Sequence, residues 1–276
     1  MTMPRCLPVS ILLLLTFTLR ACSSTPALPE ETSFTSVTPV PHAGEWQPKP
    51  GTSYQIQFSG EIDLAVDAQL YELDAFDTDS TIVDQLHQAG RKVICYINAG
   101  SFENWRPDAD QFPPEVIGRA YSGWPGEHWL DIRRLDVLAP ILENRIEICR
   151  SKGFDGIEFD NMDGYQNKTG FDLTAADQLA FNRWLADAAH AQGLVVGLKN
   201  DPDQIAALEP WFDFVLLESC SEQGWCEKSM PFLEAGKAVI DIEYSPITTY
   251  CAEAEELSIS LIEKRRELDA QRRICT

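Results

Sequence analysis

Gly153-Phe154-Asp155-Gly156-Ile157-Glu158-Phe159-Asp160-Asn161-Met162-Asp163-Gly164-Tyr165 sets a short apolar strand and four acidic residues inside one turn-bounded segment. Side chains alternate along a strand, so Glu158 and Asp160 share one face while Ile157 and Phe159 share the other. A carboxylate thus stands where a core residue belongs. Burying an unpaired carboxylate costs several kcal/mol, so such a residue is either paired or kept for chemistry. The plain alternative is a strand end with solvated acids.

Outward from that segment, β-rich runs alternate with helical ones. The expected strands are 54–58, 70–75, 92–97, 156–160, 195–199, 214–218, 238–243 and a short terminal 272–275. Helical stretches fall at 81–89, 136–152, 174–192, 204–208, 230–235 and 248–270, several of them closed by Gly90, Gly153, Gly193 or Gly236. A glycine just past a helix supplies its left-handed closing residue, and here a strand begins soon afterwards each time. The βα order and the length of 276 residues predict a single (β/α)8 TIM barrel over residues 51–276. Alternation gives an inward set of Glu72 and Asp74, Tyr96 and Asn98, Glu158 and Asp160, Gly197 and Lys199, Leu216 and Glu218, and Asp241 and Glu243. Polar residues phased to one rim point to a site at the C-terminal ends of the strands, where barrels of this kind carry their chemistry.

Two carboxylates flanking a bond, one protonated and one ionised, are the minimal apparatus for glycoside hydrolysis. Asp160 and Glu218 are the best placed pair. Glu218 follows the apolar run Phe214-Val215-Leu216-Leu217, which favours the neutral form of a general acid, and Lys199 favours an ionised Asp160. Lys199 serves equally well as a structural partner of Glu158. Zinc has no obvious ligands among four histidines, and neither His87 nor His190 lies at a strand end. A hard-cation site of Glu158, Asp160 and Asp163, as in a metal-dependent phosphodiester-cleaving barrel, is the competing chemistry. The expectation is that no metal and no cofactor is used.

Five segments carry a family resemblance: 95–108 (CYINAGSFENWRPD), 124–133 (WPGEHWLDIR), 153–165, 197–200 (GLKN) and 236–239 (GKAV). Together, in order and over about 46–276, they resemble the endo-α-1,4-polygalactosaminidases, glycoside hydrolase family 114. The resemblance implies a barrel that cuts α-1,4-linked galactosamine polymers internally, with Asp160 and Glu218 as its acidic pair. Phe159 replaces the family's more usual Pro, and Leu217-Glu218-Ser219-Cys220 replaces its Asn-Glu-Gln-Cys. Tyr96, Asn98, Glu158, Lys199 and Asn200 are further expected substrate contacts.

With 43 acidic against 22 basic residues the net charge is −21. Such a field repels nucleic acid and attracts polycations, and galactosamine units without acetyl groups are cationic. Asp74, Asp163 and Glu243 are expected to meet those ammonium groups. Tyr121, Trp124, Tyr165 and Trp225 are candidate sugar platforms in loops, whereas Trp184 and Trp211 read as packing residues. A barrel kept as a non-catalytic sugar-binding lipoprotein is the alternative to an enzyme. The expected partner is a cationic galactosamine-containing polysaccharide, bound by a monomer.

Residues 1–22 read as a signal peptide with an apolar core at 7–19, and Leu19-Arg20-Ala21-Cys22 resembles a bacterial lipobox in spite of Arg20. Plain secretion with cleavage near Ala21 is the alternative. The Ser/Thr/Pro-rich stretch 23–50 reads as a tether. Export permits disulfides, and Cys220–Cys226 and Cys251–Cys275 are the expected pairs, with Cys95 and Cys149 as buried free thiols. Asn167-Lys168-Thr169 matches a glycosylation sequon. If Cys22 bears the lipid, Cys22→Ser releases the protein into the medium, which fractionation and N-terminal sequencing detect; wild-type protein already free and starting elsewhere contradicts it.

Overall fold

The alternating runs form the strands of one curled sheet. In the computed structural model, which describes residues 38–39 and 46–275, β1 (Tyr54–Gln57), β2 (Leu70–Asp74) and β3 (Lys92–Asn98) lead into an inserted region of β4 (Ser101–Glu103), β5 (Ile117–Ala120) and β6 (Glu127–Leu130). The main sheet resumes with β7 (Gly156–Asp160), β8 (Val195–Lys199), β9 (Phe214–Glu218), β10 (Ala238–Glu243), β11 (Ser260–Glu263) and the two-residue β12 (Arg273–Ile274). Its order is β1-β2-β3-β7-β8-β9-β10-β11-β12, and every neighbouring pair except β11–β12 is parallel. The helices α1 (Ser80–Gln88), α2 (Leu135–Ser151), α3 (Ala175–Ala191), α4 (Ile205–Leu208), α5 (Cys220–Gln223), α6 (Met230–Glu234) and α7 (Cys251–Leu257) fall between strands as a (β/α)8 barrel requires.

Two apolar cores lie on either side of the sheet. Inside are Ile56, Leu70, Ile94, Val195, Phe214, Leu216, Ile240, Ile242 and Ile262; outside, Leu73, Cys95, Ile157, Phe159, Leu198, Val215, Leu217 and Val239 meet the helices. Both faces are buried, as a parallel sheet demands. At the base, Asp155 accepts from the Val93 amide at 2.9 Å and from His87 at 2.7 Å, and Asp213 repeats this with the Val196 amide at 2.9 Å and His190 at 2.8 Å. The two histidines therefore fasten helix ends to the sheet.

Several expectations are corrected. Residues 248–270 are not one helix: α7 ends at Leu257, Ser258 turns left-handed at φ 60°, and the apolar run after it makes β11, the eighth barrel strand. The terminal 272–275 stretch is not that strand but a short antiparallel addition to it. The β11 to β1 seam is joined by the last segment instead, with Leu268 O accepting from Phe58 N at 2.9 Å and Lys264 Nζ donating to Gln55 at 3.2 Å. Asp241 and Glu243 are on the outer face of β10, because Ala238, Ile240 and Ile242 take the inner one. There Asp241 accepts from the Cys220 and Ser221 amides and Glu243 from the Glu222 amide, satisfying the free N–H groups at the start of α5.

Trp46–Pro50, assigned to the tether, packs on the base: Gln47 donates to Asp213 O at 2.9 Å and Pro48 O accepts from Ala238 N at 3.2 Å. The signal peptide, Cys22 and the rest of the tether lie outside the described residues, apart from 38–39. Among the described residues no helix is long and apolar enough to cross a membrane.

Cys220–Cys226 and Cys251–Cys275 are bonded as expected, but Cys95 and Cys149 are also joined. Cys95 faces outward on β3, the side on which α2 carries Cys149, so the two meet between sheet and helix. Closing a chain interval of 54 residues stabilises by about 4 kcal/mol in the chain-entropy model. Cys95→Ala/Cys149→Ala should accordingly lower unfolding free energy by about 2–5 kcal/mol in denaturant titrations, and an unchanged midpoint would contradict this.

Candidate active site

The C-terminal rim of the barrel opens into a cleft of about 490 Å³. Three strands bring its central groups together, and each is followed by a left-handed residue: Asn161 after Asp160, Asn200 after Lys199 and Ser219 after Glu218, at φ 63°, 47° and 58°. A backbone that turns so sharply leaves the last strand side chain standing at the rim, at a cost of about 1–3 kcal/mol each. The turn from β3 to β4 presses against one of these corners. A Cβ on Gly100 would lie 1.8 Å from Asn161 O, so only glycine fits there.

Lys199 is the hub. Its Nζ is 3.0 Å from Asp160 Oδ1 and 3.6 Å from Glu218 Oε1, so these oxygens lie no more than 6.6 Å apart, the two contacts laid end to end. Asp160 also accepts from the Tyr96 hydroxyl at 2.9 Å and from the Asn161 amide at 2.8 Å. Burial alone would raise the Asp160 pKa, but Lys199, the Asn161 amide and the Tyr96 hydroxyl outweigh it and hold the carboxyl below its ordinary value. Burial would likewise lower Lys199; Asp160, Glu218 and Glu158 more than reverse this and keep it an ammonium. Glu218 accepts from the Tyr244 hydroxyl at 2.6 Å, and its amide donates to Asn200 Oδ1 at 2.9 Å. Its side chain is 31% exposed, so the apolar setting expected for it is not what it has.

Below this hub lie Glu158 and Glu72, both fully buried. Glu72 accepts from the Tyr54 hydroxyl, while among the described residues neither oxygen of Glu158 has a hydrogen-bond partner. Burial raises Glu158 well above the ordinary carboxyl range and Glu72 to about 7. Burial thus works against a second anion under Lys199. Of the hard-cation set of Glu158, Asp160 and Asp163, Asp160 is paired with that ammonium at 3.0 Å.

The other expected residues divide into two groups. Tyr96, Asp74, Asp163, Asn200 and Trp124 line the cleft; Asn98, Glu158, Tyr165 and Glu243 do not. Asp74 is bonded to Arg106 at 2.8 Å, which also takes Glu103 at 2.7 Å, so its charge is already matched. Asn98 is buried and holds Ser101 at 2.6 Å and Asn161 at 3.0 Å, which steadies the Asp160 corner. Tyr165 meets Asp201 at 3.3 Å and Gln166 at 2.7 Å away from the cleft. Trp225 is not a lining residue, whereas Tyr121 is, packed at a tilt against Trp129 at 4.7 Å between centroids.

Sequence reasoning missed Tyr244, Arg266, Glu103, Glu127, Trp105 and Phe58, all of which line the cleft. Glu127 and Glu103 come from the antiparallel β4-β6-β5 sheet, which builds one wall. Tyr244 was legible: with β10 in its correct phase, it follows Ile240 and Ile242 on the inner face. Trp105 and Trp124, 51% and 53% exposed, present large apolar area to the same opening.

A barrel whose rim carries two neighbouring carboxylates has the layout of a glycoside hydrolase. The model of glycoside-hydrolase family GH114 matches residues 36–276, and the chain belongs to that family. Among solved structures, Aspergillus fumigatus Ega3 in complex with galactosamine is 38% identical, over 84% of this chain and 98% of that one, with a TM-score of 0.80. The glycoside hydrolase domain of PelA from Pseudomonas aeruginosa, 17% identical over 80% and 98% of the two chains at a TM-score of 0.65, shares the fold. No curated protein sequence matches the chain.

The raised Glu72 pKa has a consequence for stability. A group that binds its proton more tightly when folded stabilises fully below its unfolded value, here near 4.5, and loses that contribution as pH rises through about 7. Glu72→Gln should remove a decline on the order of 3 kcal/mol between pH 4.5 and 8, read by thermal melts across the range. An equally steep decline in the variant contradicts the assignment.

Proposed function

We propose that the protein is an endo-acting hydrolase of α-1,4-linked galactosamine-containing polysaccharide, with Asp160 as nucleophile and Glu218 as general acid and base. The observation that carries this reading is the shared Lys199 contact, which holds one carboxylate ionised and keeps the second close by. An oxygen separation capped at 6.6 Å fits the ~5–5.5 Å of retaining enzymes and barely reaches the ~6.5–9.5 Å of inverting ones. In the first step the Asp160 carboxylate bonds to the anomeric carbon, the bond from that carbon to the glycosidic oxygen breaks, and the Glu218 proton passes to the departing oxygen. In the second, Glu218 takes a proton from water whose oxygen displaces Asp160. Tyr244 orients Glu218, while Lys199 and Tyr96 hold Asp160 in line.

The substrate class rests on charge and on likeness. Asp163 and Glu127 line the cleft with no cation bonded to them among the described residues, and a polymer bearing ammonium groups supplies one. A solved relative at 38% identity is in complex with galactosamine. Export to an oxidising compartment belongs to the same proposal and is supported by three disulfides among the described residues. Lipid attachment at Cys22 belongs to it as well.

Incubated with partly deacetylated α-1,4-galactosamine polymer, the wild type should release short oligosaccharides whose new reducing ends are initially α, as proton NMR of early products reports. Asp160→Asn and Glu218→Gln should each lower kcat by at least about 10²-fold while melting as folded proteins. Near wild-type turnover in Asp160→Asn, or initial β products, contradicts the mechanism.

A further inference from the structure

Three cations line the cleft, and two of them are spoken for. Lys199 lies between Asp160 and Glu218, and Arg106 is bonded to Glu103 and Asp74. Arg266 is exposed and has no carboxylate within ion-pair distance among the described residues. Its guanidinium carbon stands 4.6 Å from the centroid of the Tyr244 ring, whose hydroxyl donates to Glu218. In a chain of net charge −21, an unneutralised guanidinium beside the general acid runs against the field of the whole molecule.

The strand order sets Arg266 in a one-sided environment. The β10–β11–β1 side of the barrel presents Tyr244, Arg266, Leu268 and Phe58, which are aromatic or aliphatic apart from the guanidinium. The β3–β7 side, opposite in the ring, presents Glu127 and Asp163. An ammonium about 5 Å from a guanidinium is repelled by about 1 kcal/mol in water and by more where water is excluded. An acetamido group has no charge to repel, its carbonyl accepts a guanidinium N–H, and its methyl finds the apolar side chains. Because the general acid meets the leaving oxygen, the wall joined to Glu218 through Tyr244 borders the leaving sugar.

We propose that Arg266 is a specificity-determining residue that selects an uncharged, N-acetylated sugar on the leaving side of the scissile bond, while the opposite wall takes sugars with a free ammonium. This rests on the substrate reading given above. A mixed polymer is then cut at junctions of fixed order, and each new non-reducing end carries an acetyl group.

The test uses the full-length protein, a partly deacetylated α-1,4-galactosamine polymer and the same polymer fully deacetylated by chemical treatment. Product ends are sequenced by tandem mass spectrometry after reduction. In wild-type products the odds of N-acetyl at the new non-reducing end should be about five-fold above the odds in the polymer as a whole. Arg266→Glu should abolish that bias and raise kcat/KM on the fully deacetylated polymer about ten-fold, with Arg266→Gln between. Cleavage without end bias, a bias that survives Arg266→Glu, or an equal fall on both polymers overturns the role of Arg266 and leaves the substrate reading standing. If the wild type cuts neither polymer, both fail.

Discussion

One ammonium amid four carboxyl groups governs the site. Lys199 is in contact with Asp160 and Glu218, and Glu158 and Glu72 lie beneath it, fully buried. A single positive charge cannot hold all four as anions in a low-dielectric interior. The sharing follows burial and hydrogen bonds. Asp160 has a hydroxyl, an amide and the ammonium, which lower its pKa; Glu158 is fully buried with no donor to its oxygens among the described residues, and its pKa rises. Two acids two residues apart on one strand are thereby shifted in opposite directions.

The barrel was largely legible because buried parallel strands and Gly-closed helices leave a pattern that survives without tertiary information. From Tyr54 to Glu243 the strands of the main sheet fall, to within a residue at their ends, where the sequence places them. The failures have physical reasons. A short eighth strand after a left-handed serine is indistinguishable from a continuing helix by composition. The small β4-β6-β5 sheet has strands too brief to show alternation. In β10 the polar residues suggested the inner face, whereas Asp241 and Glu243 answer the amides of α5.

The central triad was legible for the same reason: Asp160, Lys199 and Glu218 are each the last residue of a strand. What periodicity does not record is which acids are already matched. Asp74 reads as an ammonium acceptor until Arg106 is seen across from it, some thirty residues along the chain. Cys95 and Cys149 pose the same problem, since the pairing of a strand with a distant helix is a property of the fold.

The docking of Trp46–Pro50 on the base also fixes a direction. Pro48 reaches Ala238 and Gln47 reaches Asp213, at the starts of β10 and β9, while Asp160 and Glu218 stand at strand ends. A chain gripped from its N-terminal side is thus gripped by the end of the barrel opposite its mouth. A pull applied through Trp46 would thus be borne by strand starts and leave the rim that carries Asp160 and Glu218 facing away from its source.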